Sequence, residues 1–123
     1  FEKPQAEFPL IAVDKKGLKL VIKHILDNAI RYNLSGGRVE IKVLKERGML
    51  VIKFMDTGLG ISADQQAGLF SKFFRTTKAM RIQSAGFGLG LYIAKLIVDG
   101  HCGKILVESK EHKGSTFSVV LPI

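Results

Sequence analysis

Residues Met49 to Met55 read Met-Leu-Val-Ile-Lys-Phe-Met, apolar at every position but Lys53. Side chains alternate between the two faces of a strand, so a run this apolar has to be covered on both faces. The stretch therefore predicts the central strand of a sheet. Arg38 to Glu46, just before it, alternates with apolar Val39, Ile41 and Val43, and Arg47-Gly48 turns one strand into the other. The central strand runs straight into Asp56-Thr57-Gly58-Leu59-Gly60. A carboxylate is thus delivered to the end of a buried strand, the place where open sheets tend to bind ligands.

The remaining elements arrange themselves around that strand. Leu18, Val21, Ile22, Ile25, Leu26, Ala29 and Ile30 recur at helical spacing, predicting an amphipathic helix from Lys15 to about Tyr32 with Asp14 as its N-cap. Residues 1–7 read as a frayed end, and Phe8 to Val13 as a short strand behind Pro9. Ser35-Gly36-Gly37 is a loop, and Ser62 with Gln65 forms a capping box for a short helix to about Leu69. Thr76 to Ala85 is polar without a period, which predicts a mobile flap. A glycine-led helix runs from there to Gly100. Lys104 to Ser109 and Ser115 to Leu121 form a hairpin closed around Glu111 to Gly114. The expected fold class is α/β (α+β), a two-layer sandwich: a mixed, mainly antiparallel sheet of about five strands with about three helices on one face.

With 123 residues, this is one domain with enough apolar content for a core. No apolar run approaches membrane-spanning length and no charged-then-apolar leader opens the chain, so no membrane contact by this stretch is expected. The Phe1 start reads as that of a fragment. The single Cys102 excludes an internal disulfide and suits a reducing, cytoplasmic compartment. In His101-Cys102-Gly103 it reads as turn and core filling, not as a nucleophile or metal ligand. The net charge of +8 implies an anionic partner. Lys15, Lys19 and Lys23 form one outward helical stripe, and a polyphosphate ligand explains the sign as well as nucleic acid does. No nucleic-acid-binding motif appears.

Gly86-Phe87-Gly88-Leu89-Gly90-Leu91 ends a loop and opens a helix. Free amides at a helix N-terminus can hold phosphates, although a glycine-rich turn is more often only a turn. The glycines at 86, 88 and 90 do not match GxGxxG, and no GxxxxGK[ST] loop exists. On the first helix, His24, Asn28 and Tyr32 lie four apart along one stripe, with Arg31 beside it. An asparagine amide oxygen facing a cavity suits Mg²⁺, which takes hard oxygens. A hydrogen bond to a neighbouring strand is the plainer role for Asn28, and core packing for Tyr32. Asp56 suits an exocyclic amino group such as that of adenine, since a carboxylate only accepts. Its plainer reading is a tight turn closed by an Asx bond.

Taken in order, His24 to Tyr32, DTGLG, FSKFFR, GFGLGL and Gly114-Ser115-Thr116-Phe117 resemble the boxes of the ATP-binding catalytic domain of sensor histidine kinases, the Bergerat-type nucleotide fold. The resemblance runs from Phe8 to Ile123. It implies that Asn28 ligates Mg²⁺ on the ATP phosphates, Arg31 reaches those phosphates and Tyr32 covers adenine. It implies that Asp56 accepts from the adenine amino group with Thr116 in support, that Gly58 and Gly60 shape the pocket floor, and that Ile61 belongs to the ATP site. Arg75 falls on the flap arginine, and Gly86, Phe87, Gly88, Leu89, Gly90 and Leu91 on the glycine box that hinges the flap and faces phosphate. Phe70, Phe73 and Phe74 match an aromatic box. Three positions depart from the family pattern. His24 stands where many relatives have Asn and hydrolysing ones a Glu, Cys102 replaces a usual Gly, and Phe87 a small hydroxyl residue.

The function so implied is binding of Mg·ATP and donation of the γ-phosphate to a histidine on a separate helical phosphoacceptor domain, with a response regulator downstream. Asn28, Arg31 and Arg75 would carry the chemistry, with ATP and ADP the nucleotides exchanged. None of His24, His101 and His112 begins an H-[ED]-x-[RK] acceptor pattern, so the chain alone is not expected to autophosphorylate. Other readings are a Bergerat-fold ATPase, a serine kinase of the anti-sigma type, a partner-binding module without ATP chemistry, and a basic nucleic-acid binder.

Overall fold

The computed structural model of the chain describes residues 13–66, 68–70 and 90–123. Its elements in order are α1 (Lys15–Arg31), β1 (Val39–Glu46), β2 (Met49–Asp56), α2 (Ala63–Gln66), α3 (Gly90–Gly100), β3 (Lys104–Ser109) and β4 (Ser115–Pro122). The strands form one sheet in the order β1-β2-β4-β3, antiparallel at every pairing. β2 is therefore central, as its composition predicts. Its apolar character on both faces has a direct cause. Ile52 and Phe54 enter the core beneath the helices, while Val51, on the opposite face, is buried beside its partner Val120.

The sheet differs from expectation in two respects: the described part has four strands, and none of its pairings is parallel. Both β1–β2 and β3–β4 are joined by short turns, which force antiparallel pairing. The further strand expected at Phe8 to Val13 lies outside the described residues except for Val13. So do the expected frayed end and the flap from Thr76 to Ala85. At the β1–β2 turn, Arg47 and Gly48 both take positive φ, 49° and 75°. That is the two-residue turn whose twist matches a hairpin, and it sets the pairing of Val39 with Asp56.

α1 begins where its cap predicts: the Asp14 carboxylate accepts from the Lys16 N–H at 3.1 Å. Its apolar face (Val21, Ile25 and Ala29) meets the sheet, and α3 packs beside it through Ala94 and Val98. Of these, Val21, Ile25, Ala94 and Val98 join Ile52, Phe54, Phe117, Val119 and Leu121 in one core. Phe54 is wholly buried. Each such side chain contributes about 1.5–3 kcal/mol through burial.

His101, which sequence assigns only to a turn, joins the two main helices. Its Nδ1 lies 2.8 Å from the Ile97 carbonyl, and its Nε2 lies 3.0 Å from the Asp14 N–H. A carbonyl accepts and an amide donates, so these two bonds use Nδ1 as donor and Nε2 as acceptor. Cys102 follows at φ 59°, the left-handed region that glycine occupies without strain. The usual glycine of the resembling family is thereby explained. No helix among the described residues is long and apolar enough to cross a membrane.

Candidate functional site

Two loops meet at the C-terminal end of β2. The α1–β1 loop and the segment after Asp56 are stitched together by Asn33, Thr57 and Arg38. The Arg38 N–H donates to Thr57 Oγ1 at 2.8 Å, Thr57 Oγ1 donates to Asn33 Oδ1 at 3.1 Å, and Asn33 Nδ2 donates to the Arg38 carbonyl at 2.9 Å. The Leu59 N–H then reaches the Tyr32 carbonyl at 3.3 Å. These bonds bring the end of α1, at Tyr32 and Asn33, against the Asp56 loop, with Asn28 and Arg31 on the helical turn before it. His24, Asn28 and Tyr32 are all half-buried along their common stripe, and Arg31 is exposed. Among the described residues, the Asn28 side chain makes no hydrogen bond, so the strand-bonding role open to it from sequence is not taken up there. Both Asn28 and Ala29 stand one helical turn before the cap, and the Tyr32 N–H closes α1 on the Asn28 carbonyl.

Asp56 is half-buried, and its carboxylate is aimed by backbone donors. The Gly58 N–H reaches Oδ1 at 2.9 Å, and the Ser115 N–H bonds the same carboxylate. Burial pushes its pKa above the ordinary 3.8, and the two amide bonds pull the other way without cancelling that rise. The Asx turn considered from sequence is thus present. It does not exhaust the carboxylate, whose remaining lone pairs can accept from a ligand. Gly60 holds φ 70°, and a Cβ there would overlap the Lys110 carbonyl. The β3–β4 turn packs that closely on the loop, and the His112 N–H bonds the Leu59 carbonyl at 2.7 Å.

Thr116, expected to support Asp56, borders the same cavity as that residue, and Ser115 stands directly opposite Asp56 across the sheet. Thr116 pairs with Met55, and Ser115 pairs with Asp56. Side chains alternate along a strand, so Ser115, not Thr116, shares the face of Asp56. Both residues border an open cavity of about 490 Å³ that reaches Asp56 and Ser109. Ser115 is 8% exposed and the one buried polar residue among those described. Its hydroxyl lies 2.7 Å from Ser109 Oγ. Ser109 Oγ also receives the N–H of buried Ile61 at 2.8 Å and donates to the Gly114 carbonyl at 2.9 Å. From α2, Gln66 Nε2 reaches the carbonyls of Ile61 and Ser109 at 3.0 and 3.1 Å. Asn33 and Ser109 fall outside the motifs, and Thr57 and Ser115, though inside two of them, carry no role there. The strand period was the available signal for Ser115; for the others the partners are distant in sequence.

Gly90 opens α3 against His24: a Cβ at 90 would stand 3.2 Å from its Nδ1. Leu91 is buried in the core, so its side chain acts in packing. Phe70 meets Phe117 edge-on with ring centres 6.5 Å apart. Phe73, Phe74, Arg75, Gly86, Phe87, Gly88 and Leu89 lie outside the described residues. Among the described residues no cluster of three His, Cys, Asp or Glu side chains is built to hold a metal. An ion would have to be held by an amide such as Asn28 together with ligand oxygens, which is how Mg²⁺ usually binds beside phosphates.

The fold is thus a two-layer sandwich with a half-buried, amide-aimed carboxylate at the end of its central strand and a polar helix stripe beside it. The chain belongs to the family of histidine kinase-, DNA gyrase B- and HSP90-like ATPases, which it matches over residues 13–123. It is 41% identical over 103 residues to the sensor histidine kinase RppB of Synechocystis, covering 84% of this chain and 23% of that protein. It is 36% identical to the adaptive-response sensory kinase SasA of a Synechococcus strain, covering 95% of this chain and 31% of that one. Among solved structures, a mycobacterial sensor histidine kinase, MprB, superposes with a TM-score of 0.80 at 32% identity, over 89% of this chain and 74% of that one. A nucleotide-free catalytic domain of the histidine kinase ThkA gives 0.75 at 29% identity, over 89% and 69%. The chain thus spans less than a third of the length of these two sensor kinases.

Proposed function

We propose that this chain is the catalytic domain of a sensor histidine kinase, binding Mg·ATP and presenting the γ-phosphate to a histidine on a separate helical domain. The observation that carries the reading is the junction at Asp56. There, a carboxylate held by the amides of Gly58 and Ser115 is brought against the Asn28–Tyr32 end of α1 by the Leu59–Tyr32 bond. The family's description and the sensor kinases among its relatives agree with it.

In this reading Asp56 accepts from the adenine amino group, Tyr32 and Ile61 flank the base, and Gly58 and Gly60 leave room for it. Asn28 holds the magnesium ion, which when bound supplies charge neutralisation to the phosphates. Arg31, exposed beside Asn28, adds a second positive charge where the phosphates emerge. The remaining work is positioning, since phosphoryl transfer asks little covalent chemistry of the protein. The parts given to Arg75, to the lid from 76 to 85 and to Gly86, Phe87, Gly88, Leu89 and Gly90 rest on the resemblance alone. Residues 8–123 would form the catalytic domain and act in the cytoplasm, with the phosphoacceptor domain and a response regulator as partners. Neither nucleic acid nor membrane is a partner of this stretch.

Calorimetric titration with ATP, with and without magnesium, tests the reading. Binding that requires magnesium and weakens in Asn28→Ala supports it, and the absence of any magnesium-dependent binding contradicts it. Steady phosphate release abolished by His24→Ala would move the assignment to an ATPase.

A further inference from the structure

Ser109 ends β3 and has no part in the mechanism above, yet its hydroxyl sits at the centre of the hydrogen bonds behind Asp56. It accepts from the Ile61 N–H, donates to the Gly114 carbonyl, and lies 2.7 Å from Ser115 Oγ. A hydroxyl has one proton to give, and a carbonyl can only accept. The Ser109 proton is therefore committed to Gly114, so the proton between the two serines belongs to Ser115. With its proton held by Ser109, the Ser115 hydroxyl has only lone pairs left for any ligand. The Asp56 carboxylate on the same face likewise offers acceptor oxygens.

We infer that Ser109 is a positioning residue for base selection: it fixes the direction of the Ser115 hydroxyl, so that the Asp56–Ser115 pair meets a purine with acceptors only. This inference rests on the nucleotide reading above. It makes the site favour a purine with an amino group at C6 and oppose one with a carbonyl there. Without Ser109 the Ser115 proton is free to turn outward and donate to that carbonyl. Ser115 is buried within the Asp56 face, so the turned hydroxyl has few other partners.

The test compares the affinities of ATP and inosine triphosphate, each with magnesium, for the parent chain, Ser109→Ala, Ser109→Thr, Ser115→Ala and the double alanine variant. One neutral hydrogen bond changes an equilibrium by roughly twofold to tenfold. The preference for ATP should fall by about that factor in Ser109→Ala, and Ser109→Thr, which keeps the hydroxyl, should restore it. In the Ser115→Ala background the Ser109→Ala change should leave the preference unaltered. If Ser109 only ties the Ile61 loop to the hairpin, both nucleotides will weaken together at a constant ratio, and the inference is overturned. A ratio that still shifts in the Ser115→Ala background overturns it too. Failure of the parent chain to bind ATP at all would instead bring down the nucleotide reading, and this inference with it.

Discussion

Substituting Asp56 by asparagine separates what this residue does for the ligand from what it does for the fold. The carboxylate takes two backbone N–H groups and retains lone pairs for a ligand donor. Asparagine keeps one oxygen and replaces the other with an NH₂, so one donor, from the protein or from the base, loses its acceptor. Hydrogen bonds to a charged group contribute about 1.5–3 kcal/mol, which predicts a roughly 10- to 150-fold loss of ATP affinity. Stability should respond quite differently. Burial raises the pKa of Asp56, so the folded chain binds its proton at a higher pH than the unfolded chain does. That contribution favours folding in acid and is lost as pH rises from the ordinary 3.8 through the raised value. Above the raised pKa the buried charge opposes folding, and Asp56→Asn removes that cost while weakening one amide bond. The two changes nearly cancel, leaving stability within about 1 kcal/mol of the parent. The stability of the variant relative to the parent should rise with pH across that window. Calorimetry for binding, and urea unfolding at several pH values, measure both quantities. A variant that binds ATP within twofold of the parent, or that unfolds several kcal/mol more easily, would refute the reasoning.

Three further outcomes follow from the same geometry. Asn28→Ala should weaken magnesium-dependent nucleotide binding about tenfold or more while changing urea stability by under about 1 kcal/mol, since its side chain makes no hydrogen bond among the described residues. Phe54→Ala, at a wholly buried position in the central strand, should cost about 3–5 kcal/mol in denaturant unfolding. Incubation with radiolabelled ATP should leave the isolated chain unlabelled, because no histidine begins an acceptor pattern; incorporated label would contradict this.

Much of the architecture was written in local periodicity. The apolar run at Met49 to Met55 announced a central strand, and β2 is flanked by β1 and β4, with Val51 buried beside Val120 on the face away from the helices. The helical spacing from Leu18 to Ile30 and the cap at Asp14 needed only neighbours a few residues away, and α1 begins at Lys15 as they required. What could not be read was pairing across the chain. Whether Ser115 or Thr116 faces Asp56 depends on strand register, and a shift of one residue moves a side chain to the other face. The Asn33–Thr57 bond and the three bonds of Ser109 join residues that no motif links. His101 gave away its turn but not its grip on Asp14, 87 residues earlier. Among the described strands no pairing is parallel, and hairpin turns, not crossovers, join the outer strands to the middle ones.

The most direct measurement is a backbone NMR titration of the 123-residue chain with ATP and magnesium. Amide shifts should concentrate at Asn28 to Tyr32, at Asp56 to Ile61 and at Ser115, and should shrink when magnesium is withheld. Spectra that do not move, or shifts gathered on the opposite face of the sheet around Leu44, Leu106 and Ser118, would contradict a nucleotide site built around Asp56.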